Sequence, residues 1–389
     1  MFRSKNLPEE LHALVDKWNS EEKEYYLSPY NMFSYNQHQI AYKGGENIAL
    51  EGWFAVNGDA GDDYLLTKKD VEEIQYELLP YYKTTRWTLI LDWHCNYQCQ
   101  MCPYHGNGVL EKENYFEEAG GQKKVVSKED AFKWIDKLAE YGIKTLSIIS
   151  LGEIVLYPYW SEVSEYAHKK GMRLWTITNG SLWTEEKVKE AVSLGYTDIR
   201  VSLDAVSFET YAKIRSNKRD NFERAMQLPE LLMKNGIVTN VHFVKQKENL
   251  HEVEAFIEYW KEKKVDSISI ANEFYFDGET VVNTFEESKK EYIEGMCTAF
   301  GNMQTFPDGD TKYCCGMIAG SGEKARKLEE SGCQISIDEA VNAMRTENSD
   351  LRKLCCGCSL YVPYNEKEEI VDGWKITRNA ERETWIRML

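Results

Sequence analysis

Between residues 87 and 271 the chain alternates between short β-branched runs and amphipathic helical runs, and this alternation leaves few folds open to it. Strand-like segments fall at 87–91, 145–150, 173–178, 198–203, 238–244 and 267–271. Helical patterns occupy 127–141, 159–170, 184–194, 221–235 and 250–263. The stretch Ser127-Lys-Glu-Asp130 has capping-box character, and Gly142, Gly171, Gly195 and Gly236 each follow a helical run where a left-handed residue ends a helix well. Strands joined through helices pair in parallel with right-handed crossovers, so the expected class is α/β. Six such units are two short of a closed (β/α)8 barrel, and the prediction is a partial (β/α)6 TIM-like barrel. In this architecture chemistry collects at the C-terminal ends of the strands.

The bulk numbers narrow the setting. A chain of 389 residues, 42% hydrophobic and 29% charged, can bury a large core and a smaller second one. The N-terminus lacks the apolar core of a secretory signal, and no stretch is apolar and long enough for a membrane span, so a cytoplasmic protein without membrane contact is expected. A formal net charge of −17 weighs against nucleic acid as a partner. Ten cysteines in a cytosolic chain point to metal ligation rather than disulfides.

Three of those cysteines close on one another directly after the first strand-like run. In Asp92-Trp-His-Cys-Asn-Tyr-Gln-Cys-Gln-Met-Cys-Pro103, Cys95, Cys99 and Cys102 offer three thiolates from one loop. A four-iron cluster held by three thiolates keeps one iron open, whereas an electron-transfer cluster or a structural zinc normally takes four ligands. For a zinc site, only His94 or His105 could serve as the fourth ligand nearby.

The C-x3-C-x2-C spacing resembles the signature of the radical S-adenosylmethionine (SAM) superfamily. The resemblance covers roughly residues 87–358. It implies that Cys95, Cys99 and Cys102 ligate a [4Fe-4S] cluster whose open iron chelates SAM. Met101 matches the apolar position packed near the adenine. Gly152-Glu153 matches the Gly-Gly-Glu-Pro element that binds the SAM amino group, with Leu151 in place of the first Gly and Ile154 in place of Pro. A carboxylate at Glu153 keeps the ability to accept from an ammonium. Thr178, Asn179, Ser202 and Asp204, at the ends of the third and fourth strands, match the positions that reach the ribose and the methionine carboxylate.

A second cysteine group, Cys297, Cys314, Cys355 and Cys358, is similar to the Twitch version of the SPASM domain, which holds one auxiliary [4Fe-4S] cluster. Cys315 is an alternative to Cys314, and Cys356 an alternative to Cys355. The expected division is 1–84 as an extension or cap, 85–276 as the barrel and 277–389 as the auxiliary-cluster domain. Within 1–84, helices are expected at 8–18 and 68–79, with a hairpin-like part over 39–42 and 48–56. This segment bears a weak likeness to peptide-binding winged-helix modules.

The resemblance implies reductive cleavage of SAM to a 5′-deoxyadenosyl radical that takes hydrogen from an unactivated C–H bond. A sugar, aminocyclitol or similar small metabolite is the leading substrate class, by dehydrogenation or epimerisation, because the cysteine arrangement is similar to that of radical SAM dehydrogenases of aminocyclitols. Maturation of a ribosomally made peptide is the alternative, and a non-catalytic iron–sulfur redox protein the third. His242, on the fifth strand, is a candidate catalytic group, as are Cys315 and Cys333 as hydrogen-atom donors. A flavodoxin or ferredoxin is the expected electron donor. These donors are acidic, so Arg215, Lys218 and Arg219 form a candidate docking patch, with a solvated helix end as the plainer reading.

Overall fold

The computed structural model describes residues 25–28, 54–57, 86–102, 104–106, 124–272, 275–276, 279–280, 295–297, 303–312, 326–327, 361–363, 367–378 and 382–388. The N-terminal strands β1 (Tyr25–Ser28) and β2 (Phe54–Asn57) pair antiparallel. β2 overlaps the end of the expected second arm, and its partner among the described residues is the aromatic run Tyr25-Tyr-Leu, a composition that suits a strand. Residues 39–42 and the two expected N-terminal helices lie outside the described residues.

The barrel begins at β3 (Arg86–Ile90). It continues through α1 (Lys128–Glu140), β4 (Thr145–Ile149), α2 (Trp160–Lys169), β5 (Arg173–Thr178), α3 (Glu185–Ser193) and β6 (Tyr196–Ser202). Two helices follow, α4 (Phe208–Ile214) and α5 (Arg219–Lys234), then β7 (Val238–Lys245), α6 (Val253–Glu262) and β8 (Ser267–Asn272). Local chemistry sets these boundaries. Ser127, Thr184 and Ser207 accept from the backbone N–H three residues on and open α1, α3 and α4. The four glycines expected after helices all take positive φ.

β3 to β8 pair in parallel and in sequence order. One face of each strand meets the helices: Trp87, Leu89, Leu146, Ile148, Val201, Val241, Phe243 and Ile268 pack with Trp134, Ile135, Phe256 and Trp260 in one core. Because side chains alternate across a strand, the residues between them face the barrel interior, and these are largely polar. Arg200 stands opposite Asn240 and Asn240 opposite Ser267; Ser202 stands opposite His242 and His242 opposite Ser269.

After β8 come β9 (Tyr275–Phe276), β10 (Glu279–Thr280), β11 (Gly295–Cys297), β12 (Met303–Thr305), β13 (Asp310–Lys312), β14 (Arg326–Lys327), β15 (Tyr361–Pro363), β16 (Lys367–Val371), β17 (Trp374–Arg378) and β18 (Arg382–Arg387). Six of these extend the barrel sheet into twelve strands, in the order β14-β13-β12-β3-β4-β5-β6-β7-β8-β18-β17-β16. β12 lies parallel to β3, with Trp87 Nε1 donating to Thr305 Oγ1 at 2.8 Å. β18 lies antiparallel to β8. The six-stranded partial barrel is thus not left with bare edges, since an unpaired strand edge is a liability that later segments cover.

β18 is held firmly. Arg387 donates to Asp266 at 3.0 Å, and Trp385 is buried, with the cations of Lys261 and Arg378 within 5.0 and 5.3 Å of its ring. Trp385→Ala is expected to lower unfolding free energy by about 3 kcal/mol, measured by denaturant titration. A change within ±0.5 kcal/mol would show that β18 contributes little to the barrel.

Candidate active site at the strand ends

The cysteine loop leaves β3 already tied to the next strand. Leu91 N donates to Ile149 O at 3.0 Å, and Leu151 N and Ser150 Oγ both donate to Asp92 O, at 2.8 and 2.9 Å. Glu153 N donates to His94 O at 2.8 Å. Between these bonds sits Gly152, where an added Cβ would stand 2.0 Å from His94 O and 2.8 Å from Cys95 Cβ. Only a glycine lets the loop after β4 lie this close to the cysteine loop. Within the loop, Cys102 N donates to Cys99 O and Gly106 N to Cys102 O, while Gln100 N reaches the end of α4 at Ile214 O, 2.9 Å away.

Each of the three sulfurs has a donor. Tyr97 N points at Cys95 Sγ and His105 N at Cys102 Sγ, both at 3.4 Å, and Arg215 Nη1 at Cys99 Sγ at 3.8 Å. Burial pushes the Cys95 thiol up to about 11 and the Cys99 thiol up to about 12, with the neighbouring thiols adding to the rise. Cys102 is raised by burial as well. The thiols therefore hold their protons at neutral pH and give them up to a bound cation. Among the described residues no group of three His, Cys, Asp or Glu side chains is arranged to hold a single metal ion. Three thiols on one loop, each with a donor on its sulfur, fit a cluster with an open iron. Met101, half-buried, packs against the core beside them.

Glu153 is fully buried. Burial raises its pKa, and hydrogen bonds from Asn179 and Thr178 oppose the rise. Thr178 Oγ1 donates to its Oε1 at 2.7 Å and Asn179 N to its Oε2 at 2.8 Å. Trp183 Nε1 and Gly180 N in turn donate to Thr178 Oγ1. Asn179 Nδ2 donates to Asn96 Oδ1 at 2.9 Å, and Asn96 Nδ2 to Ser181 Oγ at 2.9 Å. The structure thereby brings Gly152, Glu153, Thr178 and Asn179 to the cysteine loop. Asn96, Ser181 and Trp183 join them without having been singled out; a polar residue inside the cysteine motif was the available signal.

Ser202 is half-buried on the interior face. Asp204 is fully buried, and both its carboxylate oxygens are taken by protein groups: Oδ2 accepts from Arg215 Nε at 2.6 Å and Nη2 at 2.5 Å, and Oδ1 from Val244 N at 2.7 Å. Asp204, expected from the resemblance to reach a ligand, holds Arg215 and the β7 backbone at Val244. Arg215 is no part of a solvated helix end, since its side chain is 7% exposed. Lys218 and Arg219 remain at the surface. His242 faces the interior, opposite Ser202, and burial together with Arg200 and Arg215 keeps its imidazole neutral well below the usual range. Cys297 lies in β11, of which the backbone is described; Cys314, Cys315, Cys333, Cys355, Cys356 and Cys358 lie outside the described residues.

The family model of the Radical SAM superfamily matches residues 94–259. The chain is 28% identical over 234 residues to the Fe-coproporphyrin III synthase of Methanosarcina barkeri, covering 59% of this chain and 55% of that protein. It is 27% identical over 172 residues to the antilisterial bacteriocin subtilosin biosynthesis protein AlbA of Bacillus subtilis, covering 43% of this chain and 34% of that one. The chain thus spans about half or less of the length of these relatives. In fold it is similar to Streptococcus suis SuiB bound to S-adenosylmethionine, with a TM-score of 0.54 at 14% identity over 77% of this chain and 78% of SuiB.

Proposed function

Because residues 94–259 form a radical SAM superfamily domain, we propose that this protein cleaves SAM reductively and uses the resulting radical to take hydrogen from an unactivated C–H bond of a polar substrate. The observation that carries the reading is the junction at Gly152, which locks the Cys95–Cys102 loop against Glu153, Thr178 and Asn179. When bound, the cluster supplies one electron that splits SAM into methionine and a 5′-deoxyadenosyl radical. The chain's own residues do the rest. Cys95, Cys99 and Cys102 give up their protons to hold iron and leave one position open. Glu153 offers its carboxylate to the SAM ammonium, and Met101 offers an apolar surface to the adenine. Asn179 and Ser202 stand at strand ends within reach of the ribose and methionine ends. The barrel wall excludes water and holds the substrate C–H near the 5′ carbon.

The interior below this site supports a polar substrate: Ser202, His242 and Ser269 form one layer and Arg200, Asn240 and Ser267 the next. We take a small polar metabolite as the substrate, oxidised or epimerised, with neutral His242 as a proton acceptor and Cys315 or Cys333 as hydrogen-atom donors. The likeness to a bacteriocin biosynthesis protein favours a second reading, in which the substrate is a ribosomally made peptide and residues 1–84 contribute to binding it. On either reading residues 85–276 make the radical-generating barrel. Residues 277–389 make the auxiliary-cluster domain, with Cys297, Cys314 or Cys315, Cys355 or Cys356, and Cys358 as ligands. A flavodoxin or ferredoxin in the cytoplasm provides the electrons.

Anaerobically reconstituted protein is expected to carry about eight irons per chain, for two four-iron clusters; about four would remove the auxiliary cluster. With SAM and a reductant it should release 5′-deoxyadenosine. Deuterated candidate substrates, metabolites before peptides, should pass label to that product. A protein that makes none under these conditions would overturn the assignment.

A further inference from the structure

We propose that Arg215 sets the reduction potential of the cluster held by Cys95, Cys99 and Cys102, as a buried positive charge that Asp204 positions against the Cys99 sulfur. This rests on the cluster reading above. Arg215 follows α4, whose last carbonyl, Ile214 O, receives Gln100 N from the cysteine loop, so the helix end and the loop are fastened together beside Cys99. The guanidinium spends Nε and Nη2 on one oxygen, Asp204 Oδ2, which aims Nη1 at Cys99 Sγ, 3.8 Å away. Asp204 is itself fixed on every side. Its backbone takes φ 62°, a left-handed conformation that a non-glycine residue adopts at a cost; its Oδ1 accepts from Val244 N, and its carbonyl accepts from Asn249 Nδ2 at 2.9 Å. Such a clamp is more than a solvent-facing ion pair needs.

Reduction adds one negative charge to a cluster, and a cation with an N–H toward a ligand sulfur stabilises the reduced form more than the oxidised one. In a buried setting the interaction is weakly screened. Asp204 opposes the effect from behind the guanidinium: its Oδ2 binds Nε and Nη2, while Nη1 faces Cys99 Sγ, so the cation is the nearer charge to the sulfur.

The test uses the full chain, reconstituted anaerobically and titrated without SAM. The reduced cluster is followed through the paramagnetic signal that Cys95→Ala removes. Removing Arg215 alone would strand a buried carboxylate, so the main variant is Asp204→Asn combined with Arg215→Gln, which removes both charges. Its iron content is expected to match the parent. Its ratio of reduced to oxidised cluster, at the parent midpoint, is expected to fall at least tenfold, equivalent to a downward shift of about 59 mV for a one-electron couple. Arg215→Lys, which keeps the charge and loses the fork, should shift in the same direction by less. A loaded double variant with an unchanged midpoint overturns the proposal and leaves Arg215 as a structural tether. If the double variant does not fold, Arg215→Gln alone carries the test: whether Asp204 stays charged or takes up a proton the midpoint should fall, and an unchanged midpoint overturns the proposal. A parent protein in which Cys95→Ala removes no signal overturns the cluster reading itself.

Discussion

Cys95→Ala, Cys99→Ala and Cys102→Ala should each yield folded protein that releases no 5′-deoxyadenosine above background. The three thiols come from one loop, and removing any one of them leaves two. A cluster left with two protein ligands is not retained, so the loss should be complete rather than graded. Folding should survive, because the loop is held by backbone bonds from Leu151, Glu153 and Gln100 that do not involve the sulfurs. The check is product release beside a melting curve. Variants that melt with the parent and still cleave SAM would remove these cysteines from the chemistry.

Gly152→Ala should be nearly as damaging by another route. The added methyl would stand 2.0 Å from His94 O and 2.4 Å from His94 C, both backbone atoms that cannot swing aside. Either the loop after β4 or the cysteine loop must move. Movement breaks the Glu153 N bond to His94 O and carries Glu153 away from Thr178 and Asn179. Overpacking of this kind costs about 1–3 kcal/mol in stability, and the larger effect should be on iron retention and SAM cleavage. Gly142→Ala is the control: its φ of 83° makes the substitution strained, by about 1 kcal/mol, yet nothing lies within 4 Å of the new methyl. It should lose stability and keep activity. Equal activity in the two variants would show that the junction has slack.

The barrel was legible in the sequence because its signals are local. Period-2 and helical runs, caps at Ser127 and Thr184, and glycines past the helix ends placed the strands within two or three residues of where they lie. The gathering of Glu153, Thr178 and Asn179 at the cysteine loop followed from topology, since parallel strands deliver their C-terminal ends to one face. What escaped was long-range. Nothing near Met303-Gln-Thr or Arg382-Glu-Thr says that these segments will pair with β3 and β8, because pairing depends on which edges are left uncovered. Arg215 escaped for a related reason. A cation amid Lys213, Lys218 and Arg219 reads as surface, and its burial is decided by Asp204, eleven residues away on another element. His242 was expected on the fifth strand, and its neutrality comes first from burial and then from Arg200 and Arg215, none of which the local sequence reveals.

The twelve-stranded order also bears on how the protein is made. β3, the strand that launches the cysteine loop, has one side covered by β4 and the other by β12, with Met303 opposite Trp87. β8 is covered on its outer side by residues 382–387. During synthesis the six parallel strands leave the ribosome well before either covering segment, so a nascent barrel passes through a stage with two sticky flanks. Pairings this distant in the chain form slowly. Cell yield should therefore respond to chaperone supply and growth temperature, and shortening the chain before residue 382 should send it into inclusion bodies before its chemistry can be assayed.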